Sequence, residues 1–148
     1  MVEYADEDLI EAPRPVVWKL LLDHLDDAKA PEIHPLIQSQ KTVSRTETET
    51  VVDRVTDVRR KPMKSRWKYT FHPAERARWE ILESEGPWTP GSYLDLRYDD
   101  VPGGTRVFAR GELTIGVLPF FLSQKRTVVQ LLTDLSVEDW AFINRYRF

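Results

Sequence analysis

Between Leu36 and Ile115 apolar and polar residues alternate with a period of two, and Val, Thr, Tyr, Trp and Phe recur throughout. A period of two puts successive side chains on opposite faces of an extended chain, and β-branched and aromatic residues suit such a pleated surface. The region therefore predicts strands, near Ile37–Thr46, Thr50–Arg59, Lys64–His72, Ala77–Ser84, Ser92–Tyr98 and Thr105–Ile115, and no helix of any length. Short connections make an antiparallel meander the simplest topology. The turn residues agree: in "DDVPGGT", Gly103 and Gly104 can take the positive φ that a tight hairpin needs, and "HPAER" and "GPWTPG" punctuate the strands elsewhere.

The period changes at both ends. "PRPVVWKLLLDHLDDA" carries Val17, Trp18, Leu20, Leu21, Leu22 and Leu25 as a wide apolar stripe, and proline is tolerated in a first helical turn, so a helix is predicted from Pro15 to Ala28. It ends before "KAPEIHP", where Pro31 and Pro35 bracket at most one further turn. Val2 to Ala12 is a short mixed segment ahead of it. After Ile115 helical spacing returns in Phe121, Val128, Leu132 and Leu135, which predicts a helix from Pro119 to about Tyr146; Ser136 with Asp139 offers the start of a separate final helix instead.

A chain of 148 residues with 41% apolar and 30% charged side chains fits one domain, residues 1–148, with a core that needs no staple. Its formal charge of −3 argues against a nucleic-acid binder. The local basic run "RRKPMKSRWK", Arg59 to Lys68, reads as a solvated hairpin tip, and the pairs Asp26–Asp27 and Asp99–Asp100 read as solvated turns. The absence of cysteine excludes disulfides, thiolate nucleophiles and cysteine-ligated zinc. The acidic start "MVEYADEDLIEAP" lacks a secretory signal, and no apolar run reaches the roughly 20 residues that span a bilayer, so a soluble cytoplasmic protein without membrane insertion is expected.

One junction stands out. "GVLPFFLSQKRTVVQLL" sets Pro119, Phe120 and Phe121 between strand-like and helical sequence, which suits ordinary core, a membrane-touching tip or one wall of a cavity. The order of elements helps here. "IEAPRPVVWKLLLD" leading from strand to helix, "GSYLDLRYDDVPGGTRVFARGELTI" as the last hairpin and "LPFFLSQKRTVVQLL" opening the closing helix resemble the Bet v 1-like or START-like (SRPBCC) superfamily, in its polyketide cyclase/dehydrase and lipid-transport branch. The resemblance implies an α+β helix-grip fold, with a curved antiparallel sheet of about seven strands around a long C-terminal helix and two short helices after the first strand. It also implies an apolar cavity between sheet and helix, with Phe120 and Phe121 at its wall.

Period two sorts the strand residues into faces. Trp67, Tyr69 and Phe71 share one, as do Trp79 with Ile81, and Leu94 with Leu96 and Tyr98. Aromatics at this density suit either a plain core or a pocket for a flat apolar ligand, and the ligand-binding set expected is Trp67, Tyr69, Trp79, Tyr98, Phe108, Phe120, Phe121 and Val128. In the last strand Val107, Ala109, Gly111, Leu113 and Ile115 oppose Phe108, Arg110, Glu112 and Thr114. If Arg110 and Glu112 turn inward they form an ion pair able to anchor a carboxylate or phenolate; if outward, they are surface charges of little energetic weight.

His24, His34 and His72 belong to no HExxH-type metal pattern. His34, in "EIHPLI", sits where the resembled fold has its cavity mouth, and either serves there as a general acid/base or caps a turn. No GxSxG or phosphate-binding glycine loop is present, and neither a cofactor nor a metal is expected. The leading expectation is a module that binds a hydrophobic aromatic, polyketide-like or lipid-like molecule. A cyclase, dehydratase or aromatase moving protons with His34, Arg110, Glu112 or Tyr98 is the alternative. A third is a co-chaperone-like domain that meets a protein partner through the sheet or the Arg59–Lys68 segment.

Overall fold

The computed structural model describes residues 2–33, 37–58, 60–85 and 89–113. Strand β1 (Val2–Ile10) leads into helices α1 (Arg14–His24) and α2 (Ala30–Ile33). Six strands follow: β2 (Ile37–Arg45), β3 (Glu49–Val58), β4 (Lys61–His72), β5 (Arg76–Ser84), β6 (Tyr93–Val101) and β7 (Gly104–Leu113). They form one antiparallel sheet in the order β1-β7-β6-β5-β4-β3-β2, the meander that short connections predict, with β1 closing onto β7. Because β1 and β2 occupy opposite edges, the α1–α2 connection has to cross the sheet, and α1 packs against β6 and β7 while α2 packs against β2.

Register fixes which side chains share the face under α1. Val52 lies opposite Trp67, Tyr69 opposite Trp79, Phe71 opposite Ala77, Leu96 opposite Ala109, and Tyr98 opposite Val107. Those residues, with Ile10, Val17, Trp18 and Leu25, make the core. We call this face the inner one. Each large apolar side chain buried there contributes about 1.5–3 kcal/mol. Trp18 of α1 seats edge-on against Phe71 and Tyr98, with ring centroids 5.9 and 5.4 Å away.

Two expectations are corrected. The helix begins at Arg14, with Pro15 in its first turn, and stops at His24 rather than at Ala28. The reason is Asp26, whose carboxylate accepts from the backbone N–H groups of Ala28 (3.0 Å) and Lys29 (3.1 Å) and so competes with continuation of the helix. The basic run is a hairpin tip only at its start, where Arg60 takes φ 67°; Lys61 onward belongs to β4. The predicted C-terminal helix, with Phe120, Phe121 and Val128, lies outside the described residues, as does His34.

Candidate functional site

Along β4 the inner positions read Ser65, Trp67, Tyr69, Phe71, and α1 covers the Phe71 end. Four residues back along the strand, roughly 13 Å away, a second group of side chains gathers on the same face. Trp67 and the half-buried Trp79 meet edge to face at a centroid distance of 4.8 Å, and the indole N–H of Trp67 donates to the Ser65 hydroxyl at 2.6 Å. Fully buried Ile81 and buried Leu94 extend this surface across β5 and β6.

The charged member comes from β3. Register places Arg54 opposite Ser65, and its side chain, 7% exposed, lies over the aromatic rings of β4. The guanidinium carbon stands 5.1 Å from the Tyr69 ring centroid and 5.6 Å from that of Trp67. Its Nε donates to Gln40 Oε1 at 2.7 Å, Nη1 to the Tyr69 hydroxyl, and Nη2 to the His24 carbonyl at the end of α1 at 3.1 Å. Every one of these acceptors is neutral, and among the described residues no carboxylate pairs with Arg54. Hydrogen bonds and ring faces hold the cation in place of a counter-ion. A ligand oxygen carrying negative charge would complement it.

The carboxylates nearby are committed elsewhere. Burial raises the Asp27 pKa, but the Thr42 backbone N–H at 2.7 Å, the Thr42 hydroxyl at 2.8 Å, Gln40 and the Arg45 charge outweigh it and leave the group below its ordinary value. Asp27 is thus a tether from the α1–α2 loop to β2 and not a solvated turn. On the opposite, outer face Asp53 accepts from Arg66 Nε (2.7 Å) and Nη2 (3.0 Å), and that bidentate pair lowers its pKa.

Of the residues expected at the site, the structure brings Trp67, Tyr69 and Trp79 together. Tyr98 shares their face, buried against Trp18. Phe108, Arg110 and Glu112 are placed on the outer face, since they alternate with the buried Val107 and Ala109; the Phe108 ring there lies 4.3 Å from the Arg97 guanidinium. The inward ion pair of Arg110 and Glu112 is therefore not formed. Arg54 is the residue that the sequence reading passed over. Among the described residues there is no cluster of three or more potential metal ligands.

No protein-family model and no curated protein matches the sequence. Solved structures do match its fold. The di-domain aromatase/cyclase StfQ from the steffimycin biosynthetic pathway superposes with a TM-score of 0.82 at 15% identity, over 97% of this chain and 50% of that one, so the chain spans half the length of the di-domain protein. The Zhui aromatase/cyclase from Streptomyces sp. R1128 gives a TM-score of 0.74 at 16% identity, over 96% of this chain and 90% of that one. A START superfamily protein from Mycobacterium smegmatis gives 0.69 at 10% identity, over 97% of each chain. At these identities the likeness is one of fold, and the chain has the Bet v 1-like, START-like helix-grip fold.

Proposed function

We propose that the protein binds a hydrophobic small molecule, aromatic or polyketide-like, on the inner face of the sheet, where Trp67, Tyr69 and Trp79 supply contact area and Arg54 orients an oxygen of the ligand. The observation that carries this is the guanidinium of Arg54, buried on an aromatic surface without a carboxylate partner among the described residues. A core that only had to be filled gains nothing from such a cation, whereas a site for an enol, phenol or carboxylate does. The aromatase/cyclases named above share the fold, which supports this ligand class.

The same group favours a second function, cyclase- or dehydratase-type catalysis. A guanidinium hydrogen-bonded to a phenol can stabilise the oxyanion of an enolate as a carbonyl chain folds, while His34 carries the proton. Native mass spectrometry of the purified protein against its denatured mass tests the binding function. Added mass that leaves on denaturation supports it and weighs the ligand. If the bare mass is found and aromatic ketones and phenols also fail to bind on titration, the proposal is wrong. Loss of turnover with retained binding in His34→Ala would select the enzyme.

A further inference from the structure

The outer face carries a groove of about 950 Å³ spanning β1, β7, β6, β5 and the end of β4, and every fixed cation that lines it is an arginine: Arg76, Arg78, Arg97 and Arg110, with His72 at one end. Its layout departs from the usual rule for paired strands. His72, Arg76, Arg97, Phe108 and Glu7 face one another in turn across five strands, so Arg76 and Arg97 stand directly opposite, while Glu7 at the far end pairs with Arg106 at 3.7 Å. Like charges in that position destabilise a sheet. The next row does not compensate. Asp95 faces Arg110, but both its oxygens are taken by Arg78, at 2.6 and 2.8 Å. Arg97 is fixed over the Phe108 ring and donates to Asp99 at 3.2 Å. Among the described residues Arg76 and Arg110 have no carboxylate partner, in a chain whose net charge is −3.

We infer that this groove is an anion site and that its occupant is the phosphate monoester of a small molecule. Arginine forks bind phosphate oxygens in pairs, and lysine would serve if only diffuse positive charge were wanted. Arg76 on β5 and Arg110 on β7 stand two strands apart and two residues out of line, about 12 Å between backbones, within reach of converging on one group with Arg97 between them. The volume suits a small organic phosphate. This face is opposite the proposed ligand face, so the two proposals stand or fall separately.

The test is isothermal titration of the full chain with inorganic phosphate and with phenyl phosphate, at ionic strength held constant with chloride. Saturable one-to-one binding is expected. It should weaken tenfold or more in Arg76→Gln/Arg110→Gln and stay unchanged in Lys41→Gln/Lys64→Gln, which removes two charges on β2 and β4 that do not line this groove. The single variants Arg76→Gln and Arg110→Gln serve if the double variant misfolds. In phosphate-free buffer Arg76→Gln should raise Tm by a degree or two, since a like-charge pair is relieved, and should remove the rise that phosphate gives the wild type. Failure of the wild type to saturate, an equal loss in the lysine variant, or an acidic peptide that binds the groove and is not displaced by phosphate would each overturn the inference.

Discussion

Arg54 on β3 donates to the hydroxyl of Tyr69 on β4, and the same guanidinium lies 5.1 Å from the centre of that tyrosine's ring. One aromatic side chain thus offers the cation both its polar tip and its π face. With Trp67 beyond and the His24 carbonyl behind, Arg54 is held by three neutral acceptors and two rings. A buried cation so held would meet the proposed ligand oxygen preorganised, because its orientation does not have to be created on binding.

Replacing Arg54 with Met keeps much of the side-chain volume and removes the charge. The Tyr69 hydroxyl and the His24 carbonyl lose a donor, so the variant should lose about 1–2 kcal/mol of stability in urea unfolding. The sharper effect is on selectivity. Binding of an anionic aromatic dye such as anilinonaphthalenesulfonate should fall at least tenfold, while the uncharged N-phenylnaphthylamine should bind within about threefold of wild type. Equal losses for both dyes would show that Arg54 shapes the surface and does not read charge.

Trp79→Ala removes one ring of the Trp67–Trp79 pair, whose centroids are 4.8 Å apart. The edge-to-face contact contributes about 0.5–1.5 kcal/mol beyond burial, and truncating a half-buried indole should bring the total loss to about 2–3 kcal/mol. Trp18 is buried at the other end of the face, so Trp18→Phe should disturb α1 docking and spare dye affinity. Fluorescence titration of both variants decides the matter, and a larger affinity loss in the Trp18 variant would move the ligand surface toward α1.

Acid should loosen the α1–α2 loop and the β3–β4 pair. Asp27 and Asp53 both have folded pKa values below the ordinary aspartate value of 3.8. Groups depressed in this way stabilise the fold fully above the unfolded pKa, and that contribution fades as pH falls through the lower folded value. Tm should therefore be insensitive to these groups near pH 6 and drop steeply below about pH 4. Asp27→Asn should flatten the acid limb at some cost at neutral pH. An unchanged acid limb in Asp27→Asn together with Asp53→Asn would assign acid sensitivity to other carboxylates.

The faces of β4, β5 and β6 were legible in the sequence because each carries most of its bulky residues on one parity, Trp67, Tyr69 and Phe71, then Trp79 and Ile81, then Leu94, Leu96 and Tyr98, with Leu82 and Tyr93 on the other. The strand with Arg54 gives no such sign. In "TVVDRVTDV" each parity holds two valines, Val51 with Val55 and Val52 with Val58, so counting apolar residues does not say which way Arg54 points. Only the register of β3 on β4, with Val52 against Trp67, turns it inward. Phe108 misled, because a large apolar residue can cover an arginine on an exposed face as well as fill a core. Helix length was misread where Asp26 offers its carboxylate to the backbone, a local competition that an apolar stripe does not reveal.

Gly111 on β7 lies opposite Leu94 on β6, and a Cβ built there would stand 2.0 Å from the Tyr93 carbonyl oxygen and 2.8 Å from the Leu94 Cα. Both are backbone atoms, so no side chain can swing aside; β6 itself would have to move. Gly103 is the useful contrast, since a Cβ there meets nothing within 4 Å and only its φ of +90° disfavours a side chain. Gly103→Ala should cost about 1–2 kcal/mol from conformation alone. Gly111→Ala should cost more than about 3 kcal/mol, and because Leu94 faces Trp79, any shift of β6 should also change the tryptophan emission. Urea unfolding followed by fluorescence separates the two. If Gly111→Ala proves the milder substitution, the close approach of β7 to β6 is not a fixed feature of the fold, and the inner surface beside Trp79 is more adaptable than its packing indicates.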